Sequence, residues 1–408
     1  MRGTGQHMTV GERVAWYRRR RGMSQEVLAG LVDRTVDWLS KVENNRIDLD
    51  RLSVIRALAQ ALDVALGDLL GEPSILAWTL DRGSRSVPAL RNALLDYRQL
   101  SPALAVPTDA DPIALPVLSQ AVASVWDAYQ NSRYGFVVHK LLQVVHDTQI
   151  AAHSYEGERR QEAHGHLALT YQAAAVLLTK LGEAELAWVA AERGFRAAQE
   201  SGDPVIAGSL SRSVVHALLS TGRYREAKGL TVDAAAYLEP HVASASPEML
   251  SVYGTLFLVG AVAAARDEDR NATQEFLANA DQSARRLGRD ANHMWTAFGP
   301  TNVAIHRVAT AMDLGDVQVA IELGPRVDTA GLPIERRVRH AMEAARAYTA
   351  WNRTDEAMAI LVDAERVAPE QVRHHAMSRH LVQTWVRRSR GKPSFQLAAL
   401  AERVHASK

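Results

Sequence analysis

Between residues 119 and 390 the chain repeats one local pattern, a turn-forming residue followed five positions later by alanine. It occurs at Gly182 and Ala187, Gly222 and Ala227, Asp267 and Ala272, Gly315 and Ala320, and Asn352 and Ala357. The copies are spaced by 40, 45, 48 and 37 residues, and the stretches between them are Ala- and Leu-rich with apolar positions at helical period and no strand-like alternation. Each turn therefore joins two antiparallel helices. Close packing of such a pair also calls for a small residue twelve positions before the alanine. Ala175, Gly260 and Ala345 supply one, while Val215 and Val308 do not. Ser132 to Val137 is a sixth, weaker copy. A single helix pair cannot bury its apolar face alone, so the pairs must stack. The expected fold is all-α, a curved solenoid whose concave face is made by the first helix of each pair.

Ahead of this region lie two of different character. Residues 8–72 form a compact block of short helical patterns. Residues 73–118 hold six of the 14 prolines and read as a linker, with one helix suggested by Leu90, Leu94, Leu95 and Tyr97. Residues 391–408 follow the repeats as a C-terminal helix or tail. The absence of cysteine excludes disulfide frameworks, thiolate metal sites and cysteine nucleophiles, and points to the cytoplasm. The longest uncharged run, 249–265, is shorter than the ~20 residues of a bilayer span, so a packed helix and no membrane partner are expected.

In the first block, residues 10–21 make a helix with Val14 and Tyr17 on one face and Arg18 to Arg21 at its C-terminal end, stopped by Gly22. Ser24 is an N-cap for a second helix, with Met23 and Leu28 as a hydrophobic staple. Thr35 caps a third over 36–44, with Leu39 and Val42 turned inward. Residues 52–62 and a short turn at 67–70 close the core. Two short helices joined by a tight turn, the second with a polar outer face, suit the DNA major groove.

The segments Gly22-Met-Ser-Gln-Glu-Val-Leu-Ala, Trp38-Leu-Ser-Lys-Val-Glu-Asn-Asn-Arg, Leu58-Ala-Gln-Ala-Leu-Asp-Val and Asp68-Leu-Leu resemble the Cro/repressor (XRE) type of helix-turn-helix. The resemblance implies a five-helix DNA-binding domain. It places Val36, Asp37, Ser40 and Lys41 toward the bases, and Arg19, Gln25, Asn44 and Arg46 on phosphates. Arg18 and Glu43 become a partly buried ion pair. Chemically, Val36 suits a thymine methyl, Asp37 cytosine N4, and Lys41 guanine O6 or N7. Two departures stand out: Asp33 and Arg34 occupy the turn where the family has glycine and an apolar residue, and Val36, Asp37 and Lys41 replace the usual amides and hydroxyls. Residues 1–72 carry eleven Arg and Lys against ten Asp and Glu, so DNA attraction is confined to a patch. Two copies on an inverted repeat would double the phosphate contacts, and a homodimer is expected.

The turns Leu181-Gly-Glu-Ala-Glu-Leu-Ala and Thr221-Gly-Arg-Tyr-Arg-Glu-Ala resemble those of tetratricopeptide repeats, here lengthened beyond ~34 residues. The stretch from Asn292 to Arg307 gathers Trp295, Phe298, Asn302 and His306 around Gly299-Pro300. With Tyr171, Arg212, His216 and Tyr253 on first helices, these form a candidate pocket for a small-molecule or peptide effector; Arg339 and Tyr348 are further candidates. The whole arrangement resembles actinobacterial regulators that join an XRE domain to a tetratricopeptide-like region. In architecture it is also similar to peptide-pheromone receptors of Gram-positive bacteria. That resemblance implies a ligand-responsive transcription regulator. The reading from another class is a solenoid adaptor that recruits a protein partner without sequence-specific DNA binding.

No phosphate-cradling Gly-x-x-x-x-Gly-Lys-Ser/Thr, His-Glu-x-x-His or Gly-x-Ser-x-Gly occurs. The sequence thus argues against an enzyme, and it calls for no cofactor. Histidines at 139 and 146, 164 and 166, and 374, 375 and 380 lack the acidic or thiolate partners of a metal site, so none is expected.

Overall fold

The computed structural model describes residues 8–47, 49, 52–62, 64, 69, 86–95, 112–389 and 392–404. Most of the expected turn at 67–70 and of the 73–118 linker, and the last four residues, lie outside them. The described regular structure is helical throughout, apart from one isolated bridge between Ala291 and Phe298.

The first block contains α1 (Val10–Arg20), α2 (Gln25–Leu31), α3 (Val36–Glu43) and α4 (Leu52–Ala61). Its core is Val14, Leu28, Leu39, Val42, Ile55, Leu58 and Leu62, closed by Leu69. Helix α5 (Ser86–Leu94) follows, with Leu90 and Leu94 buried in the larger domain.

The larger domain stacks helix pairs: α6 (Leu115–Gln130) with α7 (Tyr134–Ser154), α8 (Gly157–Lys180) with α9 (Ala184–Ser201), and α10 (Pro204–Ser220) with α11 (Tyr224–Val242). There follow α12 (Pro247–Arg266) with α13 (Arg270–Leu287), α14 (Pro300–Leu314) with α15 (Val317–Leu323), and α16 (Ile334–Ala350) with α17 (Thr354–Val367). Short α18 (Pro369–His374) leads to α19 (Ala376–Arg388) and α20 (Phe395–Arg403), whose Leu397, Leu400 and Ala401 pack in the C-terminal core, so this segment is no loose tail. The solenoid is all-α and tetratricopeptide-like, and its first helix begins at Leu115.

The repeat register reflects backbone conformation at the turns. Gly182, Gly222, Gly315 and Asn352 take the left-handed conformation with φ of 80°, 76°, 83° and 61°. The alanines five residues on, Ala187, Ala227, Ala320 and Ala357, are buried where the paired helices touch. Ser132 joins them with φ 57°, and Val137 is its buried partner. In the α12–α13 pair the register is offset by one residue. Asp267 is the C-cap, Glu268 takes φ 60°, and Thr273, not the half-buried Ala272, is the sealed position. Asp267 looks like the turn residue by composition because Asp tolerates turns, but Lys228 holds its carboxylate at 2.8 Å, which fixes it as a cap.

Helix α12 has a mean hydropathy of 1.6 over an 18-residue window, and 83% of that window is buried inside the domain. Its apolarity thus matches its place at the centre of the stack.

The stack closes on itself. The α6–α7 turn meets the C-terminal repeats, with Ser132 Oγ donating to Gln371 Oε1 at 2.6 Å and the Gly135 amide donating to Glu370 Oε2 at 2.8 Å. Lys180 at the end of α8 pairs with Glu335 at the start of α16, 2.7 Å away. The solenoid is therefore a ring, with a central cavity walled by its first helices.

Candidate functional site

Helix α3 is held from two sides. Its inner face carries Glu43, which takes both arms of the Arg18 guanidinium, Nε to Oε1 at 2.5 Å and Nη2 to Oε2 at 2.8 Å. Arg18 Nη1 donates to the Met23 carbonyl at 2.7 Å, so the pair fixes α1, the first turn and α3 together. Both side chains are buried, and the hydrogen bond to Glu43 outweighs burial in holding the guanidinium above its usual range. At the other end Asn45, with φ 57°, accepts from Thr9 Oγ1 at 2.5 Å and donates to Glu12 Oε1 at 3.1 Å. Thr9 and Glu12 in turn form the capping box of α1. The two helices approach so closely that a Cβ on Gly11 would lie 2.1 Å from the Val42 carbonyl oxygen. Sequence reasoning missed this Thr9–Glu12–Asn45 clasp; the Thr-x-x-Glu spacing was its available signal.

Thus pinned, α3 turns Val36, Asp37 and Lys41 to the exterior with Ser40 half-buried. Lys41 Nζ donates to Asp37 Oδ2 at 2.6 Å, one helical turn away. Arg19, Asn44 and Arg46 are exposed around this face. Asn44 Nδ2 donates to the Ser40 carbonyl at 2.8 Å as a cap. Gln25 is tied inward, its Nε2 donating to Glu43 Oε2 at 2.8 Å. Trp38 is half-buried with the Arg34 guanidinium 5.8 Å from its ring centroid. The turn without glycine is built by Asp33 itself at φ 51°, with the Arg34 amide donating to the Ala29 carbonyl at 2.9 Å.

The ring cavity has a volume of about 510 Å³ and is partly open to solvent. Of the eight candidate effector residues, Arg212, His216, Trp295 and His306 line it; Tyr171, Tyr253, Phe298 and Asn302 do not. Arg339 lines it, whereas Tyr348 does not. Tyr171 is buried between helices and accepts from Gln149 Nε2 at 2.7 Å. Phe298 is sealed against α12, where a Cβ on Gly254 would fall 2.0 Å from its ring. Asn302 is fully buried beneath the loop before α14, where its Nδ2 reaches the Thr296 carbonyl at 3.4 Å.

Trp295 is aimed by a strained loop. Met294, Trp295 and Ala297 take φ of 50°, 52° and 48°, a conformation that side chains with a Cβ adopt at a cost. The surroundings over-determine it. Gln130 and Asn292 exchange amide hydrogen bonds at 2.9 and 2.8 Å, and Gln130 Nε2 also reaches the Trp295 carbonyl at 3.1 Å. Trp295 then stacks on Trp126, ring centroids 5.3 Å apart and planes 10° from parallel. Asp290 caps α14 through the Thr301 amide at 3.0 Å and hydroxyl at 2.6 Å, and it leaves no room for a side chain at Gly299.

Although the whole chain carries only +1, the cavity wall concentrates charge: seven cations, Lys180, Arg212, Arg266, Arg336, Arg339, Arg346 and Arg388, face Asp313, Glu335 and Glu343. Asp313 binds Arg346 at 2.7 Å and Arg266 at 3.1 Å, and Glu343 binds Arg339 at 2.7 Å. Burial works against ionising Glu335, but Lys180, with Arg336 and Arg339, holds its carboxyl at about 2. Burial, with the neighbouring Arg336, pushes His306 down to about 3. Its Nδ1 lies 2.8 Å from the Asn302 carbonyl, so it carries the proton and leaves Nε2 as an acceptor. His216 and His375 are likewise held neutral, by burial and then by Arg212 and Arg339 respectively. Leu49 and Ile55 of the first block also border the cavity.

Residues 9–72 match the family model described as a helix-turn-helix domain. No curated protein shows a significant match to the sequence. Among solved structures the chain is similar to a Rap protein complexed with Competence and Sporulation Factor, at 13% identity over 90% of this chain and 99% of that one, with a TM-score of 0.47. It is similar to PlcR of Bacillus thuringiensis, solved with the peptide PapR7 and DNA, at 13% identity, covering 86% and 98%, TM-score 0.37. It is also similar to BtubC (BKLC) from P. vanneervenii, at 15% identity, covering 62% and 91%, TM-score 0.38. The chain thus carries a helix-turn-helix domain at residues 9–72, followed by a closed ring of tetratricopeptide-like helix pairs.

Proposed function

We propose that this protein is a cytoplasmic transcription regulator that binds an inverted-repeat operator as a homodimer, with the ring cavity as its sensory site. The observation that carries the reading is the division of α3. Leu39, Val42 and Glu43 anchor one face in the domain, while Val36, Asp37 and Lys41 stand exposed on the other. Lys41 paired to Asp37 offers a donor and an acceptor side by side, a combination suited to base edges in the major groove. Arg19, Asn44 and Arg46 around it suit phosphates, which fix register and not sequence. Leu49 and Ile55 belong to the helix-turn-helix core and also border the cavity, so a ligand there has a physical route to the DNA-reading domain. Control of this kind requires that the ligand bind the DNA-competent and incompetent states with different affinity.

The test is selection of bound fragments from random DNA by the full-length protein. An enriched inverted repeat supports the reading, with affinity that falls steeply with salt and collapses for Arg46→Ala. Exchanging Asp37 and Lys41 should change the preferred sequence. Absence of enrichment at low salt, with the protein folded and the cavity ligand present, would leave the adaptor reading in its place.

A further inference from the structure

The cavity charges are not equally satisfied. Lys180, Arg266, Arg339 and Arg346 each have a carboxylate oxygen within 3.1 Å. Arg212, in the middle of α10, has neither hydrogen bond nor ion pair among the described residues, although it is 94% buried at 6% exposure and its Nε is sealed without a partner there. Arg336 on the opposing α16 also has an unsatisfied Nε, and its nearest carboxylate oxygen, on Glu335, is 4.0 Å away. Each guanidinium acts against the other. Burial, and then the charge of Arg336, pushes Arg212 down to about 10, which still leaves it ionised at neutral pH. A buried unpaired guanidinium is costly, and unlike lysine it cannot shed its proton to escape that cost. Beside the two lie Tyr129 and the Trp126–Trp295 stack, the latter held in place by the strained 292–298 loop.

We infer that the cavity takes a small organic anion, a carboxylate or phosphate bound between Arg212 and Arg336 whose planar apolar body lies against Trp295 and Tyr129. The fork of a guanidinium matches both oxyanions, and desolvation strengthens the contact. The seven-to-three excess of cations gives such a ligand a place that no side chain of the described residues fills. This inference rests on the sensory reading only for its biological use.

The probes are 2-naphthoate, 2-naphthyl phosphate and the uncharged 2-naphthol, which share one ring system, titrated calorimetrically into the full-length protein without DNA. Either anion should bind at least tenfold more tightly than naphthol, and whichever binds better identifies the headgroup. Arg212→Gln should weaken the anions at least tenfold and leave naphthol unchanged, Arg212→Lys should lose less, and Arg336→Gln should weaken the anions also. Because Arg212 is unpaired without ligand, Arg212→Gln should melt no lower than the parent. Equal affinity for naphthol and the anions, no binding of any probe at millimolar concentration, unchanged anion affinity in Arg212→Gln, or a lowered melting temperature of that variant each overturns the inference. No DNA enters the titration, so its failure leaves operator binding untouched, and a failed operator selection leaves the anion site standing.

Discussion

Replacing Glu43 by alanine tests the internal scaffold of the helix-turn-helix domain. The change removes both carboxylate acceptors of Arg18, leaves that guanidinium buried with only the Met23 carbonyl among the described residues, and frees Gln25 from its hydrogen bond. Removing one partner of a buried pair costs about 3 to 5 kcal/mol, because the remaining charge stays desolvated. A domain of this size has in all about 3 to 9 kcal/mol of stability at roughly 0.05–0.15 kcal/mol per residue. Glu43→Ala should therefore bring α1 to α3 close to unfolding while the ring, with its own core clusters, stays folded. Amide hydrogen exchange followed peptide by peptide measures this. Protection over residues 10–43 should fall by roughly two to three and a half decades, at about 1.4 kcal/mol per decade, with little change beyond residue 112. The double variant Arg18→Met, Glu43→Leu removes both charges and should recover most of the loss. A change under tenfold in Glu43→Ala, or a double variant no better than the single one, would refute the reasoning.

Asp33→Gly should stabilise the same domain by roughly 0.5–1 kcal/mol, since Asp33 sits at φ 51° where glycine carries no Cβ penalty; a lowered denaturation midpoint would contradict it. Gly254→Ala should lower the ring's melting temperature by an amount equivalent to about 1–3 kcal/mol, because the new methyl meets the buried Phe298 ring at 2.0 Å, whereas Gly229→Ala, with open space around it, should not. Acid should weaken the ring before its carboxylates titrate. His306 is at about 3 when folded and near 6.5 when unfolded, so the unfolded chain binds more protons between those values. That contribution is complete above pH 6.5 and lost as pH falls, at up to about 1.4 kcal/mol per pH unit for each such histidine. His216 and His375 act in the same direction, while Glu335 and Asp313 are held below their usual range and contribute only at lower pH. Melting should therefore drop from pH 6.5 to 5, less steeply in His306→Gln, and a flat profile would exclude this role.

The helix pairs were legible because helix ends and packing alanines are local signals; each turn needs a left-handed residue, and each close helix contact needs a small one. The offset at Glu268 was not, since the choice between Asp267 and Glu268 depends on Lys228, 39 residues before Asp267, binding its carboxylate. In the stretch 292–307 the sequence shows aromatics and amides but not their directions. Three left-handed residues within four positions, Met294, Trp295 and Ala297, reorient the loop, so Trp295 faces the cavity and Phe298 the core. Asn302 and His306 share a helical face, but the packing of the loop over Asn302 leaves only His306 at the wall. Ring closure was invisible for a related reason. Its contacts, such as Ser132 to Gln371, link residues 239 apart, and periodicity carries no information at that distance.

That closure has a consequence for synthesis. An open solenoid can fold repeat by repeat as it leaves the ribosome, each pair resting on the one before. Here Lys180 and Arg212 must wait for α16 before their wall of the cavity exists, and the α6–α7 turn waits for Gln371. A nascent chain halted before that point presents the helices without the chamber, with Lys180 still facing water and its later partner Glu335 unmade. On the sensory reading proposed above, a ligand is captured only after the last repeats emerge, so the response to it begins at the end of translation and not gradually along it.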